Sequence, residues 1–210
     1  MQPDLQARID AAVEHNVAPD EYFAIWEEIA GWQLESLKSL GLKPHHRLLD
    51  FGCGALRLGL SAIDYLESGN YYGIDAFAPY IAIGRRLAEA AGISKSFALL
   101  ASADFEFDRF GVQFDFGNAQ SVFTHMSGDE CDRCVAALRR VMKRGGVFFF
   151  TYLIGAPLTQ GMLYVGAQPM RRFAMTDPEF FAKLAARHGL TFERLDMAHP
   201  TGQQVGIFRF

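Results

Sequence analysis

The chain has 210 residues, half of them hydrophobic and 21% charged, with a formal net charge of −4. This length suits one α/β domain that buries roughly 70% of its extended-chain surface, and the composition excludes a disordered polymer. An acidic balance, with a pI near 5.9, opposes nucleic acid as a main partner, because neutralising phosphates needs a basic face. Three cysteines, Cys53, Cys131 and Cys134, give no disulfide framework and fit a reducing cytoplasm. The first residues, Met-Gln-Pro-Asp-Leu-Gln-Ala-Arg, lack the basic-then-apolar layout of a secretory signal. The longest apolar run, 147–156 and broken by Thr151, is too short to span a bilayer. A soluble protein of the cytoplasm, with no membrane partner, is expected.

In chain order, residues 6–14 and 20–40 carry helical patterns. In the second of these, Phe23, Trp26, Ile29, Leu34, Leu37 and Leu40 fall near one face. Gly41 stops that helix and Pro44 blocks its continuation. Strand and helix patterns then alternate: strand 47–51, helix 56–66, strand 71–75, helix 79–91 closed by Gly92, strand 96–101 and strand 114–120. Ser127-Gly-Asp-Glu130 is a capping box for a helix that reaches Met142 and is ended by Gly145 and Gly146. The continuous apolar run 147–153 reads as a fifth strand buried on both faces. A second capping box, Thr176-Asp-Pro-Glu179, opens a helix that ends at His188-Gly189. The last strands, 191–195 and 205–210, are joined by about nine residues. That is too few for a helical crossover, so the final pair is antiparallel. The chain reads as one α/β domain over 1–210, with a mostly parallel sheet and one reversed strand near its carboxyl end.

The most informative stretch is 47–60, where an apolar strand ends on Asp50 and Gly52-Cys53-Gly54 leads into a helical pattern. A strand, a tight turn and a helix form the usual cradle for nucleotide-like ligands in α/β proteins. Glycines there remove the Cβ atoms that would block a ligand. A dinucleotide fingerprint wants a third glycine where Arg57 stands, so a nicotinamide-dependent oxidoreductase loses ground. Asp75 ends the second strand 21 residues beyond Gly54, where a carboxylate accepts both hydroxyls of a ribose. A helix cap is the competing role for that acid.

Leu-Leu-Asp-Phe-Gly-Cys-Gly, Tyr-Tyr-Gly-Ile-Asp75, the segment from Phe114 to His125, and Val-Met-Lys-Arg-Gly-Gly-Val occur in this order over roughly residues 30–153. Together they resemble the ordered motifs of class I S-adenosylmethionine-dependent methyltransferases, whose hallmark is also an antiparallel last strand. The resemblance implies a Rossmann-like three-layer sandwich with a seven-stranded, mostly parallel sheet. It also implies S-adenosylmethionine as cofactor and transfer of its methyl group to a small-molecule nucleophile, with a hydroxyl oxygen as the expected acceptor. On this chain the family's glycine turn falls on Asp50, Gly52, Cys53 and Gly54, facing the methionine part of the cofactor. Its ribose acid falls on Asp75, followed by Ala76, and its adenine-flanking pair on Asp104 and Phe105. Its fourth-strand motif falls on Gln120 and Ser121, near the sulfonium. Arg57 takes the place of a small residue and would pair with the methionine carboxylate. The connection 102–113 is too short for a full helix and is expected to cross as a loop.

His125, five residues past Gln120, is the candidate catalytic base, since histidine titrates in the useful range; packing beneath the Ser127 helix is its other reading. No Asp/Asn-Pro-Pro-Tyr/Phe segment follows the fourth strand, which opposes amide or adenine amino acceptors. Cys131 and Cys134 form a lone C-x-x-C inside a helix, half of a zinc set, so no metal site is assigned. Cys53, near a helix start, is placed where its pKa would fall, although packing explains it as well. Residues 154–175 are the least regular region and read either as a substrate-covering loop, with Tyr164 and Arg171 as contacts, or as a homodimer contact. Trp26 and Trp32, on the amino-terminal helix, supply the other pocket wall or simply core. The rival to an enzyme is a non-catalytic cofactor-binding subunit, because binding motifs alone do not prove turnover.

Overall fold

The structure is a computed structural model. It describes residues 26–154 and 179–210, together with the backbone of 162–165 and 168–171. Helix α1 (Trp26–Ser39) leads into β1 (Leu48–Phe51), α2 (Gly59–Tyr65), β2 (Tyr71–Asp75), α3 (Ala78–Ala90) and β3 (Ala98–Ala101). After a 3-10 turn (Phe107–Phe110) come β4 (Phe114–Ala119), a second 3-10 turn (Phe123–His125), α4 (Gly128–Val141) and β5 (Met142–Tyr152). The strands β6 (Met162–Val165) and β7 (Gln168–Arg171) pair antiparallel as a separate ribbon. Helix α5 (Phe180–Arg187) and strands β8 (Thr191–Leu195) and β9 (Gln204–Arg209) complete the fold.

Seven strands form one sheet in the order β3-β2-β1-β4-β5-β9-β8. The first five are parallel, and β9 runs antiparallel to both β5 and β8. The expected reversed strand is therefore present, inserted between β5 and β8 rather than lying at the sheet edge. Residues of β5 alternate between faces, as strand geometry requires. Phe148 and Phe150 join the layer of α4 and α5 with Cys131, Cys134, Leu138, Phe181 and Leu184. Val147 and Phe149 join the opposite layer with Leu37, Leu56, Ile63 and Ile81. The result is the three-layer Rossmann-like sandwich.

Several expectations are corrected. The second helix begins at Gly59, not at residue 56, because Leu56 adopts a left-handed backbone at φ 68°. That turn drives its side chain between Gly59 and Gly84, where an added Cβ would lie 2.6 Å and 2.8 Å from Leu56. The close approach that a third glycine would permit at position 57 is thus made around positions 59 and 84. Helix α4 ends at Val141 and β5 begins at once, so Gly145 and Gly146 lie within the strand rather than stopping the helix. The 102–113 connection contains the 3-10 turn Phe107–Phe110, pinned by fully buried Phe107. The Ser127 capping box forms as expected, with both of its reciprocal bonds. The second box, residues 176–179, and the expected helical segments 6–14 and 20–25 lie largely outside the described residues.

Candidate active site

Strands β1, β2, β4, β5 and β8 point the same way, so their carboxyl ends share one edge of the sheet. The glycine turn opens on this edge. Gly52 has φ 72°, and an added Cβ would sit 2.3 Å from Val122 Cγ2. Gly54 has φ 54° and open space, with no atom within 4 Å of an added Cβ. The protein therefore dictates glycine at 52, while free volume beside Gly54 fits the close approach of a ligand. The N–H groups of Gly52 and Cys53 both donate to the Ile74 carbonyl, at 2.8 and 3.2 Å.

Asp75 ends β2 and faces this turn. Its Oδ2 accepts from Gly54 N–H at 2.9 Å and its Oδ1 from Phe77 N–H at 2.8 Å. Burial raises its pKa, and these two N–H donors pull the other way. An ionised carboxylate offers about four acceptor positions, so roughly two are left for ligand hydroxyls. Ala76 follows it, exposed.

Asp50 sits deeper, 2% exposed. Its Oδ2 accepts from Tyr71 O–H at 2.6 Å and its Oδ1 from Asn118 Nδ2 at 2.7 Å. Burial raises its pKa, opposed by both hydrogen bonds and by the charge of Arg57. The carboxylate thus braces β1 against β2 and β4 beneath the turn. Cys53 is buried and its thiol packs over Gly73. Burial pushes that thiol well above its ordinary range, so of its two expected roles the packing one fits and the lowered pKa does not. Cys131 and Cys134 are fully buried on the core face of α4, and burial raises both thiols as well, Cys131 to about 12.

Arg57 is half-buried beneath α1. Its Nε donates to Gln33 Oε1 at 3.4 Å, and its guanidinium carbon lies 5.9 Å from the Trp26 ring centroid. Asp104 is exposed on the β3–β4 connection, bonded locally to Ser102. Phe105 is half-buried and meets Phe51 edge-on at 5.9 Å, with Arg133 5.5 Å from its ring centroid.

Beyond β4 lies a polar network that the sequence did not disclose. Ser121 has a left-handed backbone, φ 59°, rare outside glycine. Its N–H donates to Thr151 Oγ1 at 2.8 Å, Thr151 Oγ1 donates to Gln203 Oε1 at 2.7 Å, and Gln203 Nε2 donates back to Ser121 Oγ at 2.7 Å. His199, in the β8–β9 connection, is 7% exposed and lies edge-on to Trp32 at 4.6 Å. Burial, with a smaller push from Arg57, lowers its pKa to about 4. Thr201 N–H donates to His199 Nδ1 at 3.0 Å, so the neutral ring carries its proton on Nε2. The Gln120 side-chain amide meets that Nε2 at 2.6 Å, and a ring N–H is satisfied there only by the amide oxygen. The amide NH2 then takes the buried position that has no hydrogen-bond partner. Topology offered a signal for this loop, since a reversed strand beside β5 returns the β8–β9 connection to the ligand edge.

His125 closes the 3-10 turn after β4, half-buried, with its backbone N–H on the Val122 carbonyl at 2.9 Å. The structure thus brings Gly52, Gly54, Asp75 and the Gln120–Ser121 corner to one edge. Asp50 and Cys53 lie under that edge as supports. Of the 154–175 segment, only the backbone pairing of β6 with β7 is described, with Tyr164 opposite Pro169 and Arg171 opposite Met162. The side chains of Tyr164 and Arg171 lie outside the described set.

Comparison with known proteins agrees with this architecture. A family model described as a methyltransferase domain matches residues 48–146. Among solved structures, the chain is similar to a DhpI–SAH complex (18% identity, TM-score 0.68), covering 98% of this chain and 94% of that one. It is also similar to magnesium protoporphyrin IX methyltransferase from Synechocystis with bound SAH, at 14% identity and a TM-score of 0.66, over 98% of this chain and 94% of that one. The CcbJ methyltransferase from Streptomyces caelestis matches at 17% identity and a TM-score of 0.64, over 91% and 96%. With its ordered motifs, its matched methyltransferase domain and its inserted antiparallel strand, the chain is similar to the class I S-adenosylmethionine-dependent methyltransferases.

Proposed function

We propose that this enzyme binds S-adenosylmethionine along the β2-β1-β4 edge and methylates a hydroxyl oxygen of a small molecule. The observation that carries the reading is the pairing of open space at Gly54 with Asp75 at the end of β2. Asp75 takes the ribose hydroxyls on the acceptor positions its backbone donors leave free. Ala76 borders the ribose, and Asp104 and Phe105 flank the adenine. Gly52, Cys53 and Gly54 pass beneath the methionine, with Asp50 fixing the strand under them, and Arg57 receives its carboxylate. S-Adenosylmethionine supplies an activated methyl group when bound.

Gln120 and Ser121 border the reacting centre. The free NH2 of Gln120 donates, so it suits an oxygen better than an ammonium on the acceptor. His125 takes the hydroxyl proton as the new bond forms. Much of the rate comes from alignment, for which about 7–11 kcal/mol is available. Among the described residues no helix is long and apolar enough to cross a membrane, and three buried free thiols suit a reducing cytoplasm.

Calorimetry with S-adenosylhomocysteine tests the cofactor site: Asp75→Ala is expected to show no measurable binding, and wild-type affinity in this variant counts against the assignment. A labelled-methyl screen over metabolite pools tests the base. His125→Ala should lose turnover and keep cofactor affinity, and full turnover removes His125 from the chemistry.

A further inference from the structure

The Ser121–Thr151–Gln203 ring spends three buried or half-buried polar side chains on one corner of backbone. Thr151 is fully buried on β5, in register with Val205 of β9. Its hydroxyl accepts Ser121 N–H and donates to Gln203 Oε1, so both of its roles are fixed. Thr124 Oγ1 further donates to the Ser121 carbonyl at 2.8 Å. These bonds hold Ser121 at φ 59°, a conformation that costs a non-glycine residue about 1 kcal/mol. Strain retained at a ligand edge calls for a purpose, and the geometry supplies one.

In a planar trans peptide the N–H and the preceding carbonyl point in opposite directions. Ser121 N–H points to β5, so the Gln120 carbonyl points away from β5 and toward β1. On that side lies the glycine turn, and Val122 already reaches Gly52 there. We propose that Thr151 is a positioning residue that, through the Gln120–Ser121 peptide, aims the Gln120 carbonyl at the positively charged end of the methyl donor. This rests on the cofactor reading above. The carbonyl oxygen receives the ammonium and faces the sulfonium. Gln203 sets the orientation of Thr151, which ties donor binding to the β8–β9 connection.

The test is Thr151→Val, which keeps the shape and removes the hydroxyl, read by calorimetry with three probes. S-Adenosylmethionine carries both positive groups, S-adenosylhomocysteine keeps only the ammonium, and 5′-methylthioadenosine has neither. A hydrogen bond to a charged group is worth enough for a roughly tenfold loss. The expected result is about tenfold weaker binding of S-adenosylmethionine, a smaller loss for S-adenosylhomocysteine and methylthioadenosine affinity within about twofold of wild type. Thr151→Ser, which restores the hydroxyl, should recover wild-type affinities. No loss, or an equal loss for all three probes, overturns the proposal, because a purely structural role would weaken all three alike. If Thr151→Val does not fold, Gln203→Leu opens the same ring outside the strand core and is read in the same way. Failure of the wild-type protein to bind any of the three would instead overturn the cofactor reading.

Discussion

The two glycines of the turn answer to different neighbours, and a methyl group added at each reports on a different property. At Gly52 the new Cβ meets Val122 at 2.3 Å with φ at 72°. Backbone strain of about 1 kcal/mol and overpacking of about 1–3 kcal/mol then act together. Gly52→Ala is expected to lose about 2–4 kcal/mol of stability in urea unfolding. At Gly54 the surroundings are open, so Gly54→Ala should cost only about 1 kcal/mol. The same variant should weaken S-adenosylhomocysteine binding at least about tenfold, because its Cβ enters the volume assigned to the ligand. Unchanged binding in Gly54→Ala would remove the ligand from that volume. These roles were half legible. The G-x-G spacing announced a turn, but nothing local announced that Val122 would press on one glycine and leave the other clear.

Among the elements, the β8–β9 connection does more than reverse the chain. It carries His199 against Trp32 of α1 and against Gln120 at the end of β4. The histidine is held neutral, with its pKa lowered from the usual 6.5 to about 4. The unfolded chain therefore takes up the proton first as pH falls. Its contribution to stability is full above about pH 6.5 and is lost progressively down to about pH 4. Burial also raises the pKa of Asp50 and of Asp75, so the comparison needs a variant. Stability measured by urea unfolding from pH 7 to pH 4 should fall less steeply in His199→Gln than in wild type. Equal slopes would show that His199 does not set the acid limit. Sequence reading passed over this histidine. Its partners lie on α1 and β4, and 79 residues separate it from Gln120, so no local pattern records their meeting.

For the molecule as a whole, the parts legible in the sequence were those that periodicity and turn chemistry write locally. The strand runs, the Ser127 capping box, the Gly52–Gly54 turn and the 21-residue step to Asp75 belong to that class. The antiparallel last pair followed from a short connection. What escaped required knowing which strands become neighbours: Thr151 meets Gln203 only because β9 lies beside β5. Leu56 escaped for a related reason. Its helical propensity favours continuing the helix, whereas the slot between Gly59 and Gly84 rewards the opposite backbone hand.

The order of strands across the sheet differs from the order in which a ribosome makes them. β8 leaves the ribosome before β9, yet it joins the sheet only through β9. A nascent chain halted before Gln204 carries β5 with one side unpaired and β8 with no partner in the sheet. Such open edges template contacts with other chains. Between the emergence of Leu195 and the arrival of Arg209, the growing chain therefore holds two strands that wait on the same missing neighbour.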